Sequence, residues 1–432
     1  RPDAEPVEIG PFRVEFVRMT HSIPDNVAVL LETPAGRVLH TSDWKLDHTP
    51  VDGLKTDVGA LAELGSRGVD LLLGDSTNAE RPGMTGSERL VGEALRQLIP
   101  LRSGRIVVAS FASNIHRVQQ AAEVAIANGR KVAVVGRSMR KNMNIARNLG
   151  YVELPEESIV SPKEAMDLPP ERVLVLCTGS QGEPMSALTR IAYNDHPAVK
   201  VERGDTVIIS AKPVPGNELR VHDSINHLAR LGAEVLHQEI APVHVSGHAC
   251  SEELRTLLSL VRPRAVMPIH GEYRMLAAHA QLARDAGVPD DRIVIAENGS
   301  VVELAPDGVR IVDRVTAGVT FVDGLGVGDV EDVAVELVGV YQRSEFGLRF
   351  TDAPRRLRPA HLGHLTSVGG FKHFIWRLRH YSGISTANED RSGSRFLQGV
   401  DDRLPGGGCH AQGRPLGDAR RRVCRGSDGR RR

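Results

Sequence analysis

Residues 243–254, VHVSGHACSEEL, set His244 and His248 four positions apart around Ser246 and Gly247, directly before a helical pattern. Two imidazoles at this spacing can share a metal ion, hold a phosphate, or only close a polar turn. The helix start argues for phosphate, because unpaired backbone N–H groups, the helix dipole and a hydroxyl suit an anion. Two other loops share the order of apolar strand, small or polar residues, then helix. VVASFASNIHRVQQ puts Ser113 at an N-cap position, with Asn114, His116 and Arg117 in the first turn. VLVLCTGSQGEPMSAL places Thr178, Gly179, Ser180 and Gln181 in the same way. One such loop says little, since serine N-caps are common; three in one chain point to a phosphorylated substrate.

A second set of residues suits a metal. His21 in MTHSIPDN, Asp43 in LHTSDWKLDH, Asp75 in LLLGDSTNAE and His270 in AVMPIHGEYRML each follow an apolar run. Histidine and aspartate dispersed over strand ends are what a dinuclear hydrolytic site needs: imidazole takes a borderline metal, and an aspartate oxygen can bridge two ions. His40, Asp47 and His48 lie close to Asp43, and turn capping is their expected role.

These residues need elements to position them. FRVEFVRM, VAVLLET and GRVLHTSD read as strands, the last two joined by a PAG turn, and DLLLGDST as a buried strand. Thr85 and Glu88 have capping-box spacing before the helical run ERLVGEALRQL. From there strands RIVVASF, KVAVVG, RVLVLCTGS and DTVIISA alternate with helical stretches, two of them closed by Gly129 and Gly150. That alternation predicts a parallel sheet covered on both faces. Helix SEELRTLLSLVRP, strand AVMPIHG, helix EYRMLAAHAQLARDAG and strands within RIVIAENGSVVEL follow.

The chain has 432 residues and 41% hydrophobic content, enough for a real core in two or three domains. Its formal charge of zero conceals an asymmetry: residues 341–432 carry 19 Lys/Arg against 8 Asp/Glu, on an otherwise acidic body. The apolar runs are of strand length, well short of the roughly 20 residues of a membrane helix. Cys177, Cys250, Cys409 and Cys424 form no CxxC pair, which fits a reducing, cytoplasmic compartment. The chain opens on Arg1 inside strand-rich sequence, without a signal-peptide pattern, so an incomplete N-terminus is expected.

THSIPDN, HTSDWKLD, GDSTNAERPG, SFASNIHRVQQ, CTGSQGEPMSAL, HVSGHACSEEL and PIHGEYRML together resemble bacterial ribonuclease J, in colinear order over residues 10 to 330. The resemblance implies an α/β protein: a metallo-β-lactamase αββα sandwich, here incomplete, with an inserted β-CASP parallel α/β domain. Residues 1–86 and 251–318 would form the first domain, 87–250 the insert and 319–334 a linker, leaving 335–432 as a basic, unstructured or non-native tail. A reading-frame change near residue 333 is expected, from the loss of periodicity and the switch of charge. The implied activity is a metal-dependent RNA phosphodiesterase, cutting 5′ to 3′ from a 5′-monophosphate and also internally. Its cofactor would be Zn2+, two per intact site, with Mn2+ or Mg2+ as substitutes, and the family forms homodimers and homotetramers. His21, Asp43 and His270 would bind metal, with Asp43 bridging the ions. Asp75 and His248 would be catalytic. Ser113, Asn114, Ile115, His244, Val245, Ser246, Gly247 and His248 would bind substrate. A histidine at position 270 resembles the RNA-acting branch. The family's His-x-His-x-Asp-His motif, which supplies most metal ligands, belongs upstream of His21, and no stretch of this chain has that spacing. A non-catalytic RNA-binding remnant is therefore the alternative; the phosphate-type loops argue against a small-ester hydrolase.

Overall fold

The computed structural model describes residue 2, residues 4–305 and 307–317, and the short strands at 322–323, 326–327 and 347–350. The expected frame change near 333, Cys409, Cys424 and nearly all of the tail lie outside the described residues. The exception is Gly347–Phe350, which pairs in parallel with residues 301–304 where an unstructured tail was expected.

The chain begins as an antiparallel meander of β1 (Val7–Ile9), β2 (Phe12–Arg18), β3 (Val27–Thr33) and β4 (Gly36–His40). Helix α1 (Val58–Arg67) then leads to β5 (Leu71–Asp75), which pairs in parallel with β4. Asp57 caps α1 by accepting the Ala60 N–H at 2.8 Å, a helix that sequence periodicity did not reveal.

A long insert follows: α2 (Arg89–Leu98), β6 (Ile106–Ala109), α3 (Ile115–Ala127), β7 (Lys131–Val135), α4 (Arg137–Asn148), β8 (Ile159–Val160), α5 (Pro162–Asp167), β9 (Val173–Cys177), α6 (Ala187–Ala192), β10 (Thr206–Ile209), α7 (Glu218–Arg230) and β11 (Glu234–His237). Its strands form one sheet in the order β11-β10-β6-β9-β7-β8, parallel throughout. Successive residues alternate between two cores. Ile106, Val108, Leu174 and Ile208 pack on the α3 side. Val107, Val173, Val175 and Val207 pack on the other. That alternation with apolar residues on both faces is the mark of a doubly covered parallel sheet.

The chain then returns. Helix α8 (Ser251–Val261) precedes β12 (Ala265–Ile269), which extends the first sheet beside β5, and α9 (Tyr273–Asp285) follows. Leu30, Leu39, Leu72 and Val266 face α1, α8 and α9. Val29, Leu31, Leu71 and Met267 face the hairpin β13 (Ser300–Ala305) and β14 (Gly308–Arg314). Glu253, fully buried, ties the return together: it accepts N–H groups from Leu46, Thr85 and Cys250.

Three local readings of helix starts are corrected. Thr85 and Glu88 make no capping box, because Glu88 pairs with Arg117 and Thr85 Oγ1 donates to the His248 carbonyl. The cap of α3 is Asn114, which accepts the Arg117 N–H, and not Ser113. Thr178–Gln181 opens no helix: Gln181 is stapled to Lys212 and Val214, and α6 begins after Ser186. At Thr85–Glu88 and at Gln181 a tertiary partner outcompetes the local cap; at α3 the cap is local but one residue later.

Candidate metal and phosphate site

Parallel pairing sends β4, β5 and β12 in one direction, so their carboxyl ends meet. Asp75 ends β5 opposite Ile269, and His270 follows directly. Asp43 follows β4, and His21 lies in the loop after β2. His270 holds a left-handed backbone, φ 55°, as does Ser42 before Asp43, φ 56°. Such angles are costly for residues other than glycine and accumulate at functional sites.

Asp75 is 2% exposed and serves two imidazoles. Its Oδ2 lies 2.7 Å from His248 Nδ1, and its Oδ1 lies 3.2 Å from His270 Nδ1. Thr77 Oγ1 donates to Asp75 Oδ1 at 2.8 Å and stands 2.9 Å from His270 Nδ1. Asp43 Oδ1 is 3.5 Å from His270 Nδ1, and Asp43 Oδ2 is 3.9 Å from His21 Nε2. His21 Nδ1 donates to the Gly247 carbonyl at 2.8 Å, which leaves Nε2 as a lone pair on the Asp43 side. Second-partner bonds of this kind fix the tautomer and aim of a metal-binding histidine.

The donor set suits a divalent cation. One donor atom each from Asp43, Asp75, His248 and His270 lies within 4.8 Å of the others. Burial opposes charge on His270, but the hydrogen bond to Asp75 and the negative charges of Asp43 and Asp75 push it up to about 9. At His248 burial is again outweighed, by the Asp75 charge and hydrogen bond, and the net direction is upward. For Asp75, burial is overcome by His248 and His270, which hold the carboxyl well below its usual range. The cluster thus favours positive charge, and two carboxylates with imidazoles take borderline metals.

His248 belongs to the loop that leaves the inserted sheet. Asn78 Nδ2 donates to Ser246 Oγ at 2.8 Å and to the His248 carbonyl at 2.9 Å. The His248 N–H also reaches Ser246 Oγ, at 3.1 Å. Ser246 and Gly247 precede Cys250, the cap of α8, so the loop approaches the helix without being its first turn. Ser113 is exposed, whereas Ile115 is buried in the insert's core and offers a ligand only its backbone. Loop 113–115 meets loop 244–248 through Arg117, which donates to His244 Nδ1 at 2.9 Å and to the Val245 carbonyl at 3.2 Å. Arg117 and its partner Glu88 were missed as a pair; the burial of a charged residue leaves no local signal. His40 and Asp47 cap turns, accepting the Ser42 and Thr49 N–H groups, and His48 is exposed.

Metal-type donors at the carboxyl edge of a layered sheet, with a parallel α/β insert closing over it, define the metallo-β-lactamase fold with an inserted β-CASP domain. Comparison with known proteins agrees. Residues 103–228 match the family model described as "Ribonuclease J, beta-CASP domain", and residues 232–295 match "Zn-dependent metallo-hydrolase RNA specificity domain". Ribonuclease J of Synechocystis sp. is 46% identical over 324 residues, 75% of this chain and 51% of that protein. Ribonuclease J of Mycolicibacterium smegmatis is 48% identical over 326 residues, 76% of this chain and 58% of that protein. Ribonuclease J of Helicobacter pylori (strain 26695) is 43% identical over 340 residues, 79% of this chain and 49% of that protein. The chain belongs to the ribonuclease J family. It spans about half the length of the curated relatives it matches. Among the described residues, no helix is long and apolar enough to cross a membrane.

Proposed function

We propose that the chain carries a metal-dependent ribonuclease centre that hydrolyses RNA phosphodiester bonds, in 5′-to-3′ exonucleolytic and endonucleolytic cleavage, in RNA processing and decay. The observation that carries this reading is the convergence of Asp43, Asp75, His248 and His270 beside the Ser246–Gly247 loop. His21, Asp43 and His270 would hold zinc, two ions in an intact site, or manganese or magnesium in its place. The metal supplies Lewis acidity and makes water nucleophilic near neutral pH. Asp75 holds the Nδ1 proton of His248 and leaves Nε2 to give or take a proton at the departing oxygen. Asn78 and Thr85 fix the His248 carbonyl, which sets the ring's position. Backbone groups of 113–115 and the 244–248 loop would hold phosphates, which position RNA without reading its sequence. A preference for a 5′-monophosphate, assembly into homodimers or homotetramers and a cytoplasmic location extend the same reading.

A second reading is RNA binding without cleavage. The observation that favours it is the donor set among the described residues: four groups with His21 alongside are few for two catalytic ions, each needing about three protein ligands. Metal analysis with an RNA cleavage assay decides. Two bound ions, with cleavage abolished by His270→Ala, bear out the ribonuclease. RNA retained on a filter without metal or cleavage bears out the second reading.

A further inference from the structure

Arg117 is fully buried on the first turn of α3, and all five of its guanidinium donors are matched. Nε and Nη2 fork onto the Glu88 carboxylate, each at 2.7 Å. Nη1 donates to the Ser210 carbonyl at 2.7 Å and to His244 Nδ1 at 2.9 Å. Nη2 also donates to the Val245 carbonyl at 3.2 Å. We propose that Arg117 is a positioning residue that holds His244 as the neutral tautomer with its proton on Nε2, so that this imidazole meets a phosphate as an N–H donor and not as a cation. The inference deepens the ribonuclease reading and rests on it for the nature of the ligand alone.

The argument is one of hydrogen-bond bookkeeping. A guanidinium has donors and no acceptor, so the His244 nitrogen facing it must present a lone pair. A proton on Nδ1 would turn two N–H groups against each other, and protonation of both nitrogens would also place two cations in contact. Nor can Arg117 swing away to relieve the conflict, because every other donor is tied to an acceptor, those on Glu88 and Ser210 buried. Glu88 is held in turn: its N–H donates to Asp47 Oδ2 at 3.1 Å, and its carbonyl accepts from Gln120 at 3.3 Å. Lys45, also fully buried, sits 3.5 Å from Asp47 and donates to the Gly86 carbonyl. The network therefore runs from the loop after β4, through α2 and α3, to His244. Burial, then the charges of Arg117, Lys45 and Arg81, push the His244 imidazole down to about 3. Buried ion pairs contribute little net stability, since desolvation offsets their attraction. Here the pair has another use: it orients the loop and selects one tautomer.

The test is nitrogen NMR of the full chain with labelled histidine. In the unsubstituted protein His244 is expected to show an unprotonated Nδ1 and a protonated Nε2 throughout about pH 5 to 8. A proton on Nδ1, or titration within that range, overturns the proposal. Replacing both ends of the ion pair, Glu88→Gln with Arg117→Met, avoids leaving one buried charge alone. In that double variant the donor facing Nδ1 is gone, and His244 is expected to populate the tautomer protonated on Nδ1. A folded double variant that keeps the original tautomer refutes the role of Arg117; if it does not fold, the spectrum of the unsubstituted protein still decides. Uridine 5′-monophosphate is then added to the unsubstituted protein. A shift at His244 Nε2 supports the donor role, and its absence overturns that role. The expected tautomer and shift without RNA cleavage uphold the positioning and count against catalysis alone.

Discussion

His248 Nδ1 stands 2.7 Å from Asp75 Oδ2, so a residue leaving the inserted sheet is held by the last residue of a strand in the other. The second oxygen of the same carboxylate faces His270. Asp75→Asn keeps the size but offers one acceptor where two imidazole N–H groups need two. The variant is expected to bind Zn2+ or Mn2+ 10- to 100-fold more weakly, roughly the cost of losing an orienting partner. Isothermal titration with each metal checks this, and unchanged affinity refutes it.

Gly247 matters for space. A Cβ there would lie 2.5 Å from His21 Cε1 and 2.7 Å from its Nδ1. Gly247→Ala should push the His21 ring away from Asp43 while leaving both sheets intact. The expected result is loss of metal binding, by about 10-fold or more, with an unaltered far-ultraviolet circular dichroism spectrum. Wild-type metal affinity in this variant would remove His21 from the site.

His279 sets a pH dependence of stability. It is fully buried under Gly74, its Nδ1 meets Ser76 Oγ at 3.0 Å, and its Nε2 has no partner among the described residues. Burial, partly countered by Asp75, pushes it down to about 4. The unfolded chain takes up the proton first, at about 6.5, so the stabilisation from a neutral His279 is complete above that pH. It is lost progressively as pH falls from 6.5 towards 4, by about 2 kcal/mol between pH 7 and 5. His279→Gln should flatten that part of the urea-denaturation profile. A slope equal to that of the parent protein would show that other groups carry it.

Helices α1 and α8 meet at Gly65, where a Cβ would lie 2.2 Å from the Leu260 carbonyl oxygen. A backbone atom cannot step aside as a side chain can. Gly65→Ala is expected to destabilise the fold by about 1–3 kcal/mol, the usual cost of overpacking. Thermal unfolding measures this, and an unshifted midpoint contradicts the packing.

Much of this arrangement was legible in the sequence where local physics decides. Runs such as LLLGD and VLVLC became the buried strands β5 and β9. Gly129 and Gly150 close helices because each takes a positive φ, 71° and 77°. His21, Asp43, Asp75 and His270 could be chosen by residue type at strand ends, and the structure gathers them. The helix caps misled, because Thr85, Glu88 and Gln181 find better partners far along the chain. Arg117 meets Glu88 from 29 positions away, and Glu253 reaches Leu46 from 207. Charged side chains are ordinarily at the surface, so no local pattern marks the ones that are not.

The parallel pairing of β12 with β5 sets the order in which the molecule can mature. Asp75 and His270 meet across 195 positions of chain, and contacts of such span form slowly because a long loop must close first. The inserted sheet draws every strand from residues 106–237, so during synthesis it has all its strands before β12 emerges. Folding domain by domain, from the N-terminal side, is the general habit of long chains. The metal cluster is then completed only after the inserted sheet has all its strands. Until β12 has paired with β5, the chain cannot bring Asp75, His248 and His270 together in one place.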